Sequence, residues 1–578
     1  MPTQWSPKLY LVGCLQITLT LATLQWSPCA SNPALDCTTL EVPLEYAEPK
    51  NRALAYIPLA RYKATVPQSQ RKGSLLTNPG GPGSSGIEFI QNGAGEGISN
   101  VTDGFYDIVS WDPRGVGSAR PLLQCFDTAG EEADASNAFP AAAEVEYSQF
   151  RNQSYMPSYY AAMQEYDSSM GQLADACAEH NSSALYTSSA AYVVRDMAAI
   201  IDALEGTHNA KLNYWGLSYG TIFGAEFIQT YPERVGKVVF DGVFDAAANA
   251  QPYTSQLPRD ELNVRDAIND LATLCTQAGP DGCALIQDPG NRTTTNLTTR
   301  IANLQASLYE SPMEVSDGSW SITVGTFSFF MYSFLKLPTT WSVVASALSS
   351  LEKGDTDLFV SLLTGATTTS AINETAPGTA SLAGWPIQCT DNAPSSHTEL
   401  SEVARLFLNI SLTEETPWLN ADLSTLSFCR NFPDTRPRVP NLGASKLTTM
   451  ETNDILTEHD TPVLIVNALH DPTTPVNSAQ VLHRWLPTSS QLVTRQGPGH
   501  TTISLASLGL VQAIRGYFLE GDLPTKMEMH EVSQMVFSSE IAADTTTPAP
   551  VFNGTYSQAD MVLLESTSSI FLAFMGLP

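Results

Sequence analysis

The sequence feature that most constrains the fold is the pentapeptide Gly216-Leu217-Ser218-Tyr219-Gly220, which stands between an apolar segment and a helical one. Leu212–Trp215 is predicted to be a short buried strand, and residues 221–229 are predicted to begin a helix. The pattern G-x-S-x-G lets a serine stand on a sharp strand-to-helix turn with its hydroxyl exposed. The glycines leave room for neighbouring backbone. Ser218 is therefore predicted to be a nucleophile.

Short apolar segments alternate with helical patterns on both sides of this turn, and their rhythm predicts the fold class. Apolar residues from Val194 to Leu204 recur at helical spacing, and a closing helix is predicted over Ile503–Phe518. The first two predicted strands show antiparallel character, whereas the later ones are short and apolar throughout. This alternation predicts an α/β fold with a mostly parallel central sheet covered by helices on both faces. The other predicted strands cover residues 40–46, 53–62, 74–77, 106–111, 237–240, 463–467 and 492–494.

The alternation stops in the middle of the 578-residue chain, and this break predicts the domain organisation. Helical patterns separated by Thr-, Asn- and Gly-rich loops dominate residues 246–445, after which strands resume. We therefore predict an inserted helical cap, 246–445, between two parts of one core, 23–245 and 446–524. Residues 126–185 are predicted to hold surface helices, and residues 525–578 an irregular tail.

The N-terminus and the charge bear on localisation. Lys8 precedes the apolar run Leu9–Leu24, which is typical of a signal peptide over residues 1–22. The net charge of −30 disfavours binding to nucleic acid or to anionic membranes. These features predict a secreted glycoprotein without nucleic-acid or membrane partners. Eight N-x-[ST] sequons support glycosylation, at Asn100, Asn152, Asn181, Asn291, Asn296, Asn373, Asn409 and Asn553.

The cysteine count agrees with an oxidising compartment. Cys14 falls in the predicted signal peptide, and cleavage near Ala22 leaves eight cysteines, whereas cleavage after Ala30 leaves seven. An even number suits disulfides. Proximity in sequence suggests the pairs 29–37, 125–177, 275–283 and 389–429, although order alone leaves other connectivities open. No C-x-x-C pair occurs, and we predict neither a metal nor a cofactor.

A serine nucleophile needs a base and an acid. In α/β-hydrolases these follow the serine in the order acid, then histidine, each at the carboxyl end of a strand. His500 lies in a glycine-rich turn after a late strand, and Asp471 closely follows the strand before it. His470 also follows a strand but leaves no later strand end for an acid. Asp241 competes with Asp471 for the role of acid, although an Asp before Gly often only caps a turn.

The glycine-rich loop 78–86 has two interpretations. Gly81, Gly83 and Gly86 match G-x-G-x-x-G after a strand, which is the dinucleotide-binding pattern. The loop also precedes the serine turn by two strands, where an α/β-hydrolase carries oxyanion donors. We predict an oxyanion hole formed by the N–H groups of Gly81 and Tyr219.

Several motifs together resemble one family. They are NPGGPGSSG (78–86), DPRGVGS (112–118), GLSYGTIFGAEF (216–227), HDPTTP (470–475) and GPGH (497–500). The chain resembles secreted tripeptidyl aminopeptidase-like α/β-hydrolases, which are relatives of proline iminopeptidases. The resemblance covers about residues 26–524 and departs from the family near the end, where an expected late cysteine is missing.

The resemblance implies that short peptides are released from free N-termini through an acyl-enzyme on Ser218. It also supports pairing Cys29 with Cys37. Such exopeptidases hold the substrate ammonium with cap carboxylates, and Asp391, in a C-x-D stretch, is the candidate for that contact. Two other hypotheses remain: a carboxylic ester hydrolase with the same three residues, and a catalytically inactive binding protein. No oligomeric state is predicted.

Overall fold

A central sheet organises the molecule. The computed structural model describes residues 24–48, 50–138, 156–180, 182–249, 251–255, 263–286, 293–365, 379–395, 398–413, 420–435, 439, 456, 459–537 and 549–576. The predicted signal peptide and the sequons at Asn152, Asn181, Asn291 and Asn373 lie outside these residues. The strands are β1 Ser27–Pro28, β2 Asp36–Pro43, β3 Leu54–Tyr62, β4 Gly73–Asn78, β5 Tyr106–Trp111, β6 Leu212–Leu217, β7 Val235–Asp241, β8 Met313–Glu314, β9 Ser321–Ile322, β10 Val463–His470, β11 Ser490–Pro498 and β12 Glu528–His530.

Ten of these strands form the sheet, in the order β1-β2-β3-β5-β4-β6-β7-β10-β11-β12. The first three strands run antiparallel to their neighbours, and the pairs from β5 to β12 are parallel. The predicted α/β class and mostly parallel sheet are confirmed. Leu217 of β6 pairs with Asp241 of β7, which in turn pairs with Val466 of β10. This register brings the carboxyl ends of the three strands to one edge.

Helices cover both faces of the sheet, as two-sided burial requires. Neighbouring residues of each strand enter different cores. Tyr214 of β6 and Ile465 of β10 face one side of the sheet, and Trp215 of β6 and Leu464 of β10 face the other. The helices are α1 Gly86–Phe89, α2 Gly95–Val101, α3 Ala129–Ala138, α4 Met156–His180, α5 Ser182–Thr187, α6 Ala190–Glu205, α7 Gly220–Thr230, α8 Ala246–Asn249, α9 Val264–Gly282, α10 Thr294–Glu310, α11 Val324–Leu335, α12 Trp341–Leu351, α13 Asp357–Gly365, α14 Gly384–Asp391, α15 Leu400–Thr413, α16 Asn420–Asn431, α17 Val476–Trp485, α18 Leu508–Glu520 and α19 Gln558–Phe574.

The segment between the neighbouring strands β7 and β10, called the inserted region below, contains two groups of helices that pack differently. Helices α9 to α13 enclose their own apolar core, which also takes in Leu505, Val536 and Phe537. Helices α14 and α16 pack instead into the main core, where α16 lies against α4. Helix α4 buries one face there, which includes Met163 and Leu173, while most of its other residues are partly or fully exposed. It is a surface helix, as was predicted within residues 126–185.

The chain after Pro524 is also more ordered than predicted. It adds β12 to the edge of the sheet and ends in the seventeen-residue helix α19. This helix buries Leu563, Ile570 and Phe571 against the sheet-facing core. The closing helix before it begins at Leu508 rather than Ile503, because residues 502–504 form a separate short turn. Among the described helices, none is both long and apolar enough to span a bilayer.

Four disulfides link the described cysteines: Cys29–Cys37, Cys125–Cys177, Cys275–Cys283 and Cys389–Cys429. They are the four pairs that proximity suggested. The last one ties α14 to α16, and so fixes a short helix to the main core.

The two-sided core yields a stability prediction. Leu464 is fully buried at the centre of the sheet, so Leu464→Ala should lower the free energy of unfolding by about 2–5 kcal/mol. The matched control is Met529→Ala on β12, because Met529 is 58% exposed; it should change stability by less than about 0.5 kcal/mol. Urea unfolding followed by fluorescence measures both. Equal effects of the two substitutions would contradict the packing described here.

Candidate active site

Ser218 stands on the turn between β6 and α7 in a left-handed backbone conformation, with φ of 53°. Its N–H donates to the carbonyl oxygen of Asp241 (2.9 Å), and its own carbonyl accepts from the Thr221 hydroxyl (2.7 Å). A side chain at Gly220 would place its Cβ 2.5 Å from the Asn78 carbonyl oxygen. The turn can therefore form only with glycine there, as the motif predicted.

His500 lies in the loop after β11, which is held from two directions. The buried Arg495 donates to the carbonyl oxygens of Pro498 (2.7 Å) and Thr502 (3.1 Å) from beneath the loop. From the inserted region, the Lys336 carbonyl oxygen accepts the His500 N–H (3.1 Å). The loop is thus fixed by the core on one side and by the insertion on the other.

Asp471 follows β10 and is fully buried. Its carboxylate accepts from the N–H groups of Thr473 (2.8 Å), Thr474 (2.8 Å) and Thr501 (2.7 Å). Burial alone would raise the pKa of Asp471, but the interactions with His500 and with these backbone donors outweigh it and leave the pKa below its usual value. Asp471 is therefore held as a carboxylate at neutral pH.

The three predicted residues come together in a continuous chain of hydrogen bonds. The Ser218 Oγ lies 2.9 Å from Nε2 of His500, and Nδ1 of His500 lies 3.1 Å from each oxygen of Asp471. Ser218 is only 5% exposed and His500 only 7%. This geometry can pass a proton from the serine hydroxyl to the imidazole, with a carboxylate behind the ring.

The two competing candidates lie apart from this chain. Asp241 accepts hydrogen bonds from the N–H (2.6 Å) and hydroxyl (2.8 Å) of Thr502 and does not contact His500. Burial raises the pKa of Asp241 to about 6. His470 faces α9, where its Nδ1 lies 2.6 Å from Asp270. The structure therefore places Asp471 and His500, rather than these two residues, beside Ser218.

The glycine-rich loop packs directly on the serine turn. Gly80 has φ of 88°, and a Cβ there would lie 2.6 Å from the amide nitrogen of Tyr219. Within the described part of the chain, the amide N–H groups of Gly81 and Tyr219 have no protein acceptor. Asp112 braces the loop by accepting from the Ser85 hydroxyl (2.6 Å) and the Ser118 N–H (2.7 Å). Two free donors beside a serine suit stabilisation of an oxyanion.

Asp391 lies behind the serine turn rather than in an open pocket. One of its oxygens accepts from the Tyr219 hydroxyl (2.7 Å), the other accepts from the Ala190 N–H (2.7 Å), and the residue is 6% exposed. Burial raises the pKa of Asp391 to about 7, against the effect of these two hydrogen bonds. The ammonium contact predicted for Asp391 stays a prediction, and the structure adds a contact with Tyr219 that the sequence did not indicate.

Helix α14, which carries Asp391, also contacts the glycine-rich loop at its other end. A Cβ built at Gly384 would lie 2.7 Å from the Pro82 carbonyl oxygen. One short helix therefore supports both predicted oxyanion donors, at Gly81 through the loop and at Tyr219 through Asp391.

Two groups near the site were not predicted: Arg495 and the end of α19. A lone arginine inside an apolar strand (QLVTRQG) is a signal that could have identified Arg495 as a buried structural cation. Phe574 of α19 lies against the imidazole of His500, with ring centroids 5.6 Å apart. No local pattern indicates that contact. Across the described residues, no cluster of three or more His, Cys, Asp or Glu side chains is arranged to hold a metal ion.

Comparison with known proteins agrees with this geometry. A family model described as the α/β hydrolase fold matches residues 73–268, and one described as TAP-like protein matches residues 437–529. The protein has the α/β-hydrolase fold, with a TAP-like region towards its C-terminus. The first match contains the serine turn and the glycine-rich loop, and the second contains Asp471 and His500.

Named relatives extend over most of the chain. Serine protease Hip1 of Mycobacterium tuberculosis is 27% identical over 89% of this chain and 94% of its own length. Tripeptidyl aminopeptidase of Streptomyces lividans is 26% identical, over 86% and 85% of the two chains. Carboxylesterase B of M. tuberculosis is 28% identical, over 84% and 85%. This protein of the α/β-hydrolase fold is thus a serine hydrolase, similar both to peptidases and to an esterase.

The raised pKa of Asp391 predicts a pH dependence of stability. An aspartate whose pKa rises from 3.8 to about 7 on folding keeps a proton that the unfolded chain has released. Stability should therefore fall as the pH rises from about 4 to about 7. Asp391→Asn removes this titration, so its unfolding free energy should fall less over that range. Urea unfolding at several pH values measures the slope.

The control for this experiment is Asp522→Asn, which changes an exposed carboxylate and should leave the wild-type slope unaltered. A wild-type slope in Asp391→Asn would show that Asp391 does not carry the buried proton.

Proposed function

We propose that this serine hydrolase is a secreted aminopeptidase that releases short peptides, typically tripeptides, from free N-termini. One observation carries the chemistry: the hydrogen-bonded chain from Ser218 through His500 to Asp471. The similarity to a serine protease and a tripeptidyl aminopeptidase supports peptides as the substrate class. The four disulfides and the apolar N-terminal run support secretion. Exposed sequons at Asn100, Asn296 and Asn553 could carry the predicted glycans.

The proposed reaction begins when the Ser218 Oγ attacks the carbonyl carbon of the scissile bond. The Nε2 of His500 takes the hydroxyl proton, and Asp471 stabilises the resulting imidazolium. The negative charge on the carbonyl oxygen is met by the N–H groups of Gly81 and Tyr219, where one such donor is worth about 3–4 kcal/mol in known cases. His500 then gives its proton to the leaving amine. Water, deprotonated by the same imidazole, releases the acyl group and restores the serine.

The second candidate function is hydrolysis of a carboxylic ester. It is favoured by the similarity to carboxylesterase B, and the same residues would carry it because acyl transfer does not depend on the leaving group. A catalytically inactive binding protein is disfavoured by the family and by the hydrogen bond between Ser218 and His500.

The substrate class can be tested by comparing peptide and ester substrates. We expect a tripeptide p-nitroanilide with a free amine to be hydrolysed faster than its N-acetylated counterpart and faster than a p-nitrophenyl ester of similar size, relative to the uncatalysed rates. Ser218→Ala should abolish hydrolysis and labelling by a fluorophosphonate, whereas Ser401→Ala, at an exposed position on α15, should change neither. Hydrolysis of only the acetylated peptide or only the ester would reject the aminopeptidase, and hydrolysis of only the ester would support the esterase.

Substitution of each candidate acid tests which carboxylate supports His500. Asp471→Asn should lower kcat by about 10⁴-fold, because the amide cannot hold the same imidazole tautomer or stabilise the imidazolium. Asp241→Asn should lower kcat far less, since Asp241 contacts Thr502 rather than His500. Steady-state kinetics on the best substrate measures both variants. A larger loss in Asp241→Asn would assign the acid to Asp241 instead.

A further inference from the structure

Helix α19 docks between the two halves of the proposed active site. It packs on α2, which follows the glycine-rich loop, and on residues 502–504, which follow His500. The packing is close: a Cβ at Gly97 would lie 2.7 Å from a side-chain carbon of Ile570 and 2.9 Å from the Ser566 carbonyl oxygen. Ile570 is fully buried. The position of the helix is therefore fixed by tight contact with α2, which is joined to the glycine-rich loop through α1 and residues 90–94.

The last residue of this helix touches the proposed general base. The rings of Phe574 and His500 lie 5.6 Å apart at an angle of 58°. On the other side of the loop, a Cβ at Gly499 would lie 2.8 Å from Pro338 of the inserted region. The backbone of the histidine loop thus contacts the inserted region, and the imidazole itself contacts α19.

A large cleft begins at the same helix end. Its volume is about 800 Å³, within the range of about 300–1,000 Å³ that small-molecule sites occupy. The glycine-rich loop contributes Pro79, Gly83 and Ser84 to its lining, and α19 contributes Phe574 with the residues beside it. Phe574 therefore belongs both to the lining of the cleft and to the contact with His500, although Ser218 and His500 themselves do not line the cleft.

We infer that α19 forms part of the substrate site, in which Phe574 positions the His500 imidazole and bounds the cleft beside the oxyanion loop. The inference rests on the proposed serine chemistry, but not on whether the substrate is a peptide or an ester. Phe574 would restrict rotation of the imidazole, so that Nε2 stays directed at Ser218. Its bulk would also limit the size of the group that the cleft accepts.

The experiment measures how fast fluorophosphonates with a short or a long alkyl chain label the full-length protein. Phe574→Ala should slow labelling by the short probe about ten- to a hundredfold, as expected when a reacting group is misplaced by about 1 Å. It should slow the long probe less, because the cleft is enlarged. Phe574→Leu, which keeps most of the bulk, should restore most of the rate.

The matched control is Phe571→Leu on the same helix. Phe571 is buried in the core, and no ring contact between it and His500 is present among the described residues. This substitution should lower the melting temperature but leave the labelling rate of the folded protein and the ratio of the two probes unchanged. If Phe574→Ala is folded and labels at wild-type rates with the wild-type probe ratio, the inference is wrong. Equal slowing in both variants would show that α19 has only a structural role, and this result would also overturn the inference.

Failure of the proposed serine chemistry has a different outcome. If the wild-type protein is not labelled at all, or if labelling persists in Ser218→Ala, the proposed nucleophile fails and the inference fails with it. If Ser218→Ala is not labelled but Phe574→Ala is labelled like the wild type, the inference is wrong while the proposed serine chemistry stands.

Discussion

Burial of the parallel sheet on both faces is the constraint on which the rest of this structure depends. Because Trp215 and Leu464 face one side while Tyr214 and Ile465 face the other, neither face can be left to solvent, and helices must cover both. The strands then present only their ends to loops. Their shared register brings the ends of β6, β7 and β10 to one edge. Ser218 and Asp471 each stand at such an end, and His500 follows the next strand, β11.

Hydrogen bonds hold the polar groups around this edge of the sheet. In a buried site, a polar group without a hydrogen-bond partner would destabilise the fold. Arg495 satisfies the carbonyl groups of the histidine loop, and the backbone N–H groups of Thr474 and Thr501 satisfy Asp471. Asp391 satisfies the Tyr219 hydroxyl from the inserted region. The inserted region is therefore part of the structure that holds the site. It contributes hydrogen bonds to the serine turn and, through the Lys336 carbonyl, to the histidine loop.

The sequence predicted the parts of the molecule that depend on local pattern. The strands before and after Ser218, the order of Asp471 and His500, and the four disulfide pairs follow from apolar runs, glycine positions and proximity. Strand ends in parallel sheets meet by geometry, so the three residues could be placed together without knowledge of any long-range contact.

The parts that were missed depend on packing between distant segments. Helix α14 is short and contains both Gly384 and Pro386, so its helical character and its contact with Tyr219 have no periodic signal. The sequence indicated surface helices around α4 but not that the buried face of α4 packs on α16. The contact between Phe574 and His500 joins residues 74 positions apart, with no pattern that relates them. Helix α19 itself follows a Thr- and Pro-rich segment that is typical of irregular chain.

The small exposure of Ser218 has a consequence for how such an enzyme behaves among other proteins. A serine that is 5% exposed, beside a histidine that contacts α19, offers little surface to a loop of a large protein. This low exposure favours small molecules and slender chain ends as substrates of the proposed hydrolase. Discrimination against intact folded proteins would then be a property of access, independent of the reactivity of the serine.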